Sequence, residues 1–200
     1  KKALPKIPIF LDSPMAIAAL PVYKRHPEYY DTEAEQLRKA GDDFFKFPGL
    51  KLTRTKEESK AINHMRGTKI IIAGSGMMTG GRILHHALRY LDDPHSTLLI
   101  IGYCAKGTLG RRLYEGADEV TIMNHKVEVR ATVKAIGALS AHGDQKKLLK
   151  WAKTATGAPK RIFVVHGETQ PATELAHRLQ DQFGGRSEVN VPDEGDVIEV

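Results

Sequence analysis

Short apolar runs alternate with segments of helical spacing through the first half of the chain. Strands are predicted at residues 8–11, 50–53, 69–73 and 96–101, and helices at residues 15–23, 32–40, 55–62, 83–91 and 113–115. Ser13 or Asp12 is predicted to cap the helix at 15–23, and Thr55 and Glu58 have the spacing of a capping box at the start of the helix at 55–62. The strands at 69–73 and 96–101 are continuously apolar, which is typical of strands buried on both faces of a sheet. The repeated order of strand, glycine loop and helix predicts a parallel sheet with right-handed crossovers.

The pattern changes near Gly116, where tight turns begin to join short alternating strands. Strands are predicted at residues 119–123, 126–129 and 130–139, followed by a helix from residue 145, a strand at 161–165 and a further helix. Residues 187–191 and 196–200 resemble the two strands of a terminal hairpin. A domain boundary is therefore predicted at Gly116, which gives domains 1–116 and 117–200.

Composition and charge limit the class of protein. The longest apolar runs have the length of strands, far below the roughly 20 residues of a membrane span, so no membrane partner is expected. The single cysteine, Cys104, fits a reducing compartment, and a cytoplasmic location is expected. The net charge of +6 fits either an ordinary basic protein or one with a polyanionic substrate.

Two glycine-rich loops follow predicted strands and carry arginine. The first contains Gly74, Ser75, Gly76, Gly80, Gly81 and Arg82, and the second contains Lys106, Gly107, Thr108, Arg111 and Arg112. Glycines let backbone amides approach an anion, and a helix beginning after the loop adds its positive end. The first loop resembles a dinucleotide fingerprint, but its spacing differs by one residue. Either loop alone fits a tight turn, whereas the two together favour a phosphate-lined groove.

Two of the nine histidines stand at strand-to-helix corners. His142 lies in the run Ser-Ala-His-Gly-Asp at residues 140–144, and His166 follows the apolar strand at 161–165. Ligands of open α/β sheets bind at the carboxyl ends of strands, so both histidines are candidate site residues. Imidazole binds zinc and carries protons, but two histidines without a His-x-His pair or a Cys-x-x-Cys motif make an incomplete zinc site.

These stretches together resemble the carboxyl-terminal part of the β-CASP ribonucleases of the metallo-β-lactamase superfamily. The matching runs are FLDSPMA at 10–16, IAGSGMMTGGR at 72–82, GTLGRR at 107–112, SAHGD at 140–144 and VHGE at 165–168. The resemblance implies an α/β fold: a parallel-sheet β-CASP lobe with helices on both faces, plus the carboxyl-terminal part of an αββα sandwich. It covers nearly the whole chain.

The resemblance also implies roles for individual residues. His142 is expected to be the proton donor to the leaving oxygen, and Ser140 with the amides around Ala141 is expected to hold a substrate phosphate. His166 is expected to be a zinc ligand, and Asp144 to orient its neighbours or cap the following helix. The glycine loops, with Arg82, Arg111 and Arg112, are expected to face RNA.

The family's His-x-His-x-Asp-His motif is not found in the chain. The resemblance therefore predicts a piece of a zinc-dependent ribonuclease that holds two zinc ions as the whole enzyme, with the isolated chain inactive. Two alternatives stay open: a non-catalytic module that binds RNA or phosphate, and a doubly wound enzyme that binds a nucleotide at residues 74–82. A homodimer through the β-CASP lobe or through an exposed carboxyl-terminal lobe is also left open.

One basic segment has two interpretations. Lys146, Lys147, Lys150 and Lys153 lie on or next to the predicted helix after His142. Their spacing fits a stripe that faces RNA, and it also fits an ordinary solvated helix face. The solvated face is the simpler of the two.

Overall fold

The computed structural model describes residues 7–43, 45–137 and 142–198, which form two compact units. The first unit is Lys1–Ser140 and the second is Ala141–Val200. Each unit holds its own hydrophobic core, and both contain helices and strands, as the predicted α/β class requires. No helix within the described ranges is long and apolar enough to cross a membrane.

The elements follow the predicted order closely. The helices are α1 (Pro14–Arg25), α2 (Thr32–Lys39), α3 (Lys56–Ala61), α4 (Arg82–Tyr90), α5 (Leu109–Tyr114), α6 (Gln145–Ala152) and α7 (Thr169–Phe183). The strands are β1 (Ile9–Leu11), β2 (Leu50–Leu52), β3 (Ile70–Ile72), β4 (Thr97–Ile101), β5 (Glu119–Ile122), β6 (His125–Glu128), β7 (Thr132–Ile136), β8 (Arg161–Phe163) and β9 (Glu188–Asn190). Short 3₁₀ helices lie at Pro27–Tyr29 and Ile62–His64.

Local capping explains where several helices begin. Ser13 accepts a hydrogen bond from the Ala16 amide, and a proline opens α1. Thr55 and Glu58 form the predicted capping box at the start of α3. Asp144 accepts a hydrogen bond of 2.8 Å from the Lys147 amide at the start of α6, which confirms its predicted capping role. These contacts are local in sequence, so the sequence alone could predict them.

The sheets of the first unit are smaller than predicted. The pairing in order β2-β1-β3 is parallel, and β4 pairs in parallel with β7. The hairpin β5–β6 is antiparallel. Parallel pairing is thus confirmed, but the strands described here do not join into one sheet. Because β7 pairs with β4, the segment from Gly116 to β7 belongs to the first compact unit. The predicted domain boundary at 116 therefore does not coincide with the division between the compact units, and it stays a prediction.

One face of the β2-β1-β3 sheet consists only of aliphatic side chains. Ile9 of β1 lies opposite Leu50 of β2 and Ile70 of β3, and Leu11 lies opposite Leu52 and Ile72. Because alternate residues of a strand share a face, these six side chains lie on the same face of the sheet. Ile72 is 49% exposed and Ile70 is 43% exposed. The prediction that β3 is buried on both faces is therefore wrong, because its apolar composition does not specify what covers it. The prediction for β4 is wrong for the same reason, since Leu99 and Ile101 are exposed.

The core of the first unit lies between α4, α5 and the β5–β6 hairpin. Leu113, Val120 and Ile122 are almost completely buried and pack with residues of α4. The helix α5 begins at Leu109, four residues earlier than the predicted start at 113. Gly110 made this stretch resemble a loop, whereas in the structure it is a helical residue in close contact with a neighbouring segment.

In the second unit, α7 packs against β8. Ala172, Ala176, Leu179 and Phe183 form its buried face, and Val164 lies against them. The strand β9 pairs in parallel with β8. The predicted terminal hairpin is wrong for the described residues: residues 191–198 contain no strand, and Asp196 instead closes a turn by accepting a hydrogen bond from the Asp193 amide.

A pair of leucine substitutions tests the position of this core. Leu113 is 1% exposed and Leu99 is 47% exposed. Leu113→Ala is expected to lower the free energy of unfolding by about 2–5 kcal/mol, because it leaves a cavity in the core. Leu99→Ala is the matched control and is expected to cost about 1 kcal/mol, since its side chain is already half in water. Urea unfolding followed by circular dichroism measures both; equal costs would contradict the assignment of the core.

Candidate functional site

The two predicted glycine loops lie against each other in the first unit. The amide of Gly110 donates a hydrogen bond of 3.0 Å to the carbonyl oxygen of Met77. The Cys104 thiol lies 3.7 Å from the carbonyl oxygen of Gly76. A Cβ at Gly110 would lie 2.8 Å from the Cys104 Sγ atom and 3.0 Å from the Met77 oxygen. Glycine is therefore required at 110, and the structure brings together two segments that the sequence places about 30 residues apart.

Hydrogen bonds within the first loop fix its shape. The Ser75 hydroxyl accepts a bond of 3.0 Å from the Thr79 amide, and the Ser75 amide donates to the carbonyl oxygen of Gly80. The Ile83 amide donates to the carbonyl oxygen of Gly74, which ties the loop to α4. Ser75 therefore closes the loop, and its predicted contact with phosphate stays a prediction.

Gly81 has a conformation and a position that only glycine can take. Its φ is +82°, and a Cβ there would lie 2.4 Å from the carbonyl oxygen of Gly74. Gly81 is also the N-cap of α4 and offers no capping side chain. Two amides of the first turn of α4 are nevertheless used, since Ile83 donates to the Gly74 carbonyl oxygen and Leu84 donates to the Gly81 carbonyl oxygen. An anion at this helix end therefore has to bind through other amides and through the partial charge of the helix.

Arg82 turns toward the protein interior. Its guanidinium forms an ion pair with Asp12, and it also donates hydrogen bonds of 2.9 Å to the Thr53 carbonyl oxygen and 3.0 Å to the Arg54 carbonyl oxygen. This arginine thereby connects the start of α4 to the segment between β2 and α3. In the structure Arg82 contacts only other parts of the protein that the structure describes, and binding of RNA by Arg82 stays a prediction.

Asp12 is the centre of a buried polar cluster. Its side chain is 0% exposed, and its Oδ2 atom accepts a bond of 2.6 Å from the Ser59 hydroxyl and lies 2.7 Å from His86 Nε2. Burial acts to raise the pKa of the Asp12 carboxyl, but hydrogen bonds from Ser59, His86 and Arg82, together with the Arg82 charge, hold that pKa below its usual value. Sequence reasoning gave Asp12 no role beyond a helix cap. An acid at the end of an apolar strand is the signal that could have indicated a buried partner.

The second loop ends in a capped helix. Thr108 is the N-cap of α5: its hydroxyl accepts a bond of 3.2 Å from the Arg111 amide and donates to the Ala105 carbonyl oxygen. Arg111 pairs with Glu115 at 2.6 Å and donates to the Cys104 carbonyl oxygen.

The remaining predicted residues of the second loop lie near this cap. Arg112 lies on α5 and donates to the carbonyl oxygen of Glu119. Lys106 and Gly107 are exposed at the turn before α5. The two arginines therefore lie on a helix, not in a loop as predicted. Contacts of these residues with RNA stay predictions.

The two strand-end histidines belong to the second unit. His142 is exposed and lies two residues before the α6 cap. His166 is exposed after β8, with φ at +64°, in the left-handed region that few residues other than glycine adopt and in which histidine is enriched. Its role as a zinc ligand stays a prediction. Ser140 and Ala141 lie outside the described residues.

The described residues of this chain do not complete a zinc site. Among residues 7–43, 45–137 and 142–198, no group of three or more histidine, cysteine or acidic side chains could hold a metal ion. Zinc needs at least three protein ligands even in open catalytic sites. His166 offers a suitable donor atom, but the residues present do not fit a zinc ion without further ligands.

Two family models match the chain. The Beta-Casp domain model matches residues 1–113. A second model, described as the Zn-dependent metallo-hydrolase RNA specificity domain, matches residues 126–192. The interval between the matches contains the predicted boundary at Gly116, whereas the compact units divide between residues 140 and 141.

Several known proteins are similar in sequence to this chain over most of its length. Ribonuclease TTHA0252 of Thermus thermophilus is 39% identical over 176 residues, covering 88% of this chain and 40% of the relative. Transcription termination factor FttA of Pyrococcus horikoshii is 30% identical over 185 residues, covering 90% of this chain and 28% of the relative. FttA of Methanosarcina mazei is 29% identical over 182 residues, covering 28% of that protein. The chain thus spans well under half the length of these relatives.

Two adjacent glycines test the geometry of the first loop. Gly81→Ala is expected to destabilise the first unit by at least about 1–3 kcal/mol, because its φ is positive and its Cβ would contact the Gly74 backbone. Gly80→Ala is the matched control, since a Cβ there meets nothing within 4 Å and its φ is not positive. The free energies of unfolding in urea should differ accordingly, and equal values for the two variants would show that the loop has another conformation.

The Asp12 cluster predicts an acid-dependent loss of stability. The folded pKa of Asp12 is lowered, so its contribution is complete above its unfolded pKa of about 3.9 and is lost as the pH falls through the folded value. Asp12→Asn is expected to cost about 3–5 kcal/mol at neutral pH, because it leaves Arg82 without its partner. It should also remove this part of the pH dependence of unfolding, measured below pH 5.

The control for that experiment is Asp92→Asn, which changes an exposed acid outside the cluster. Its free energy of unfolding should stay within about 0.5 kcal/mol of the unsubstituted chain. If Asp12→Asn loses no more stability than Asp92→Asn, or retains the full acid dependence, the cluster does not stabilise the fold in the way its contacts indicate.

Proposed function

Because the chain belongs to the β-CASP family, we propose that it is part of a metal-dependent ribonuclease that hydrolyses RNA phosphodiester bonds. The matched domains, which include an RNA specificity domain, support RNA as the ligand. The relatives are a ribonuclease and transcription termination factors, so RNA processing or termination is the expected setting. The chain covers a minor part of each relative, and the activity is proposed for the whole protein.

The contact between the two glycine loops is the observation that carries the RNA-binding part of the proposal. The hydrogen bond from the Gly110 amide to the Met77 carbonyl oxygen holds the loops together, and α4 begins after Gly81, where the first loop ends. Such a surface binds an anion through backbone amides and helix partial charge, without reading sequence. Ser75 and Thr108 keep it in shape, so the loops can present amides to a phosphate without reorganisation.

The strand-end residues supply the proposed chemistry. When a water molecule adds to phosphorus, the bond to the leaving oxygen breaks and that oxygen needs a proton. We assign this proton to His142, since imidazole exchanges protons near neutral pH. Ser140 and the Ala141 amide would hold the phosphate. His166 would be a zinc ligand, and the other ligands would come from the rest of the whole protein.

Two other functions account for fewer observations. A non-catalytic module that binds RNA or phosphate uses the same glycine loops, and it describes what the isolated 200 residues would do. A nucleotide-binding enzyme of doubly wound type would bind a pyrophosphate at the first loop, but the glycine spacing of that loop differs by one residue from the dinucleotide fingerprint. The described strands of the first unit also do not join into one doubly wound sheet, which makes this alternative the weaker one.

Histidine substitutions in the whole protein test the proposed roles. His142→Ala should abolish RNA cleavage while most zinc is retained, because the residue transfers a proton. His166→Ala should lower zinc content as well as cleavage, because it removes a ligand. Zinc is measured by elemental analysis and cleavage with a labelled RNA. His177→Ala is the matched control, since His177 is exposed on α7, and it should change neither.

The outcomes separate the assignments. Equal loss of zinc in His142→Ala and His166→Ala would show that His142 is a metal ligand rather than a proton donor. Zinc-dependent cleavage by the 200 residues alone would contradict the expectation that they are inactive. Failure of both the whole protein and the chain to bind RNA would contradict the proposed function itself.

A further inference from the structure

The outward face of α6 carries an exposed tryptophan. Trp151 is the only tryptophan of the chain, and its side chain is 74% exposed. Leu148, one turn earlier, is also exposed, while Leu149 and Ala152 pack against the core of the second unit. Leu149 and Ala152 therefore attach α6 to the core, and the indole of Trp151 takes no part in that packing. A large aromatic ring left in water on a helix that packs by its opposite face is a candidate contact for a ligand.

One lysine of α6 shares the side of this ring, and a second lies next to it in the sequence. Lys147 lies four residues before Trp151 on the same side of α6, about 6 Å along the helix axis, and Lys150 is adjacent in sequence. Within the described part of the chain neither lysine forms an ion pair, and both are exposed. Asp144, the only acid between residues 142 and 153, is the helix cap. The face is therefore cationic as well as aromatic.

Lys153 differs from these two lysines. It lines the groove between α6 and α7 that Asp181 also lines, on the side of α6 away from Trp151. Asp181 offsets part of the positive charge that Lys153 and Arg178 bring to this groove, and the groove lies on the side of α6 away from the indole. Lys153 is therefore excluded from the candidate site and serves below as an internal control.

The chemistry of this face favours single-stranded RNA. Every base offers a flat π surface that stacks on an aromatic side chain, and each stacked base contributes about 1–3 kcal/mol. Lysines beside the ring neutralise phosphates of the same strand. A folded protein partner would need about 800 Å² on each side. The apolar part of this face consists of Trp151 and Leu148 alone, which is too small for such an interface.

We propose that Trp151, Lys147 and Lys150 form a stacking subsite for single-stranded RNA, here named the Trp151 subsite. One base stacks on the indole, and the two lysines contact the neighbouring phosphates. The proposal rests on the proposed function for its ligand, and it adds a binding element in the second unit that does not involve the glycine loops or the histidines. The exposure of Trp151 changes the balance between the two interpretations of this lysine-rich helix.

The single tryptophan makes the test direct, because intrinsic fluorescence reports on this site alone. Oligouridylate added to the 200-residue chain should quench the fluorescence of Trp151 in a saturable way. Heparin, a polyanion without bases, should bind without comparable quenching. Affinity is measured in parallel by the anisotropy of a fluorescently labelled oligouridylate. Trp151→Ala should weaken binding about 5- to 150-fold, and Trp151→Phe should retain part of the affinity.

The lysine variants separate charge from stacking. Lys147→Gln and Lys150→Gln should each weaken binding and reduce the slope of log affinity against log salt by about one. Lys153→Gln should leave both the quenching and the salt slope close to those of the unsubstituted chain. Circular dichroism of each variant confirms that α6 is intact.

The results that would overturn the subsite are distinct from failure of the proposed function. RNA binding that is unchanged by Trp151→Ala and gives no quenching would remove the subsite and leave RNA binding elsewhere in place. Quenching by polyglutamate as strong as that by oligouridylate would assign the face to an acidic protein segment. Absence of any RNA binding, with the chain folded, would contradict the proposed function and the subsite together.

Discussion

The first unit depends on one buried carboxylate. Asp12 ends β1 with no exposure to solvent, and it holds the Ser59 hydroxyl of α3 and both Arg82 and His86 of α4. A buried charge is costly unless its partners are present, so these elements have to assemble together. Arg82 is also the first residue of α4 and follows Gly81 directly. The same cluster therefore fixes where the first glycine loop ends and where the helix amides begin.

Close backbone contact then connects this cluster to the second loop. Gly81 lies against the Gly74 carbonyl, and Gly110 lies against the Met77 carbonyl, each at a distance that excludes a Cβ. The glycines are thus used for packing of main chain on main chain, and the anion-binding surface that we propose is a consequence of that packing. The loop arginines bond to acids and carbonyl oxygens of the protein itself. The exposed lysines of α6 lie in the other unit.

The sequence predicted what depends on neighbouring residues and failed where distant residues decide. The cap at Ser13, the capping box at Thr55 and the cap at Asp144 were all predicted, since each involves residues three positions apart. The pairing of Asp12 with Arg82 spans 70 residues and has no local signal. The start of α5 was missed because Gly110 resembles a loop residue until its close neighbour is known. The glycine loops were located correctly, but the inward direction of Arg82 depends on that distant acid.

The aliphatic face of the β2-β1-β3 sheet and the exposed lysines respond to salt in opposite ways. Simple salts weaken contacts between lysines and phosphates by screening and by reducing the gain from counterion release. Sulfate and similar excluded salts strengthen the association of apolar surfaces, and Ile70 and Ile72 present such a surface to water. Concentrated sulfate is therefore expected to drive the exposed sheet faces of separate molecules together, and to release the RNA whose binding we propose. The choice of anion, as well as the ionic strength, then affects whether the chain stays dispersed in solution.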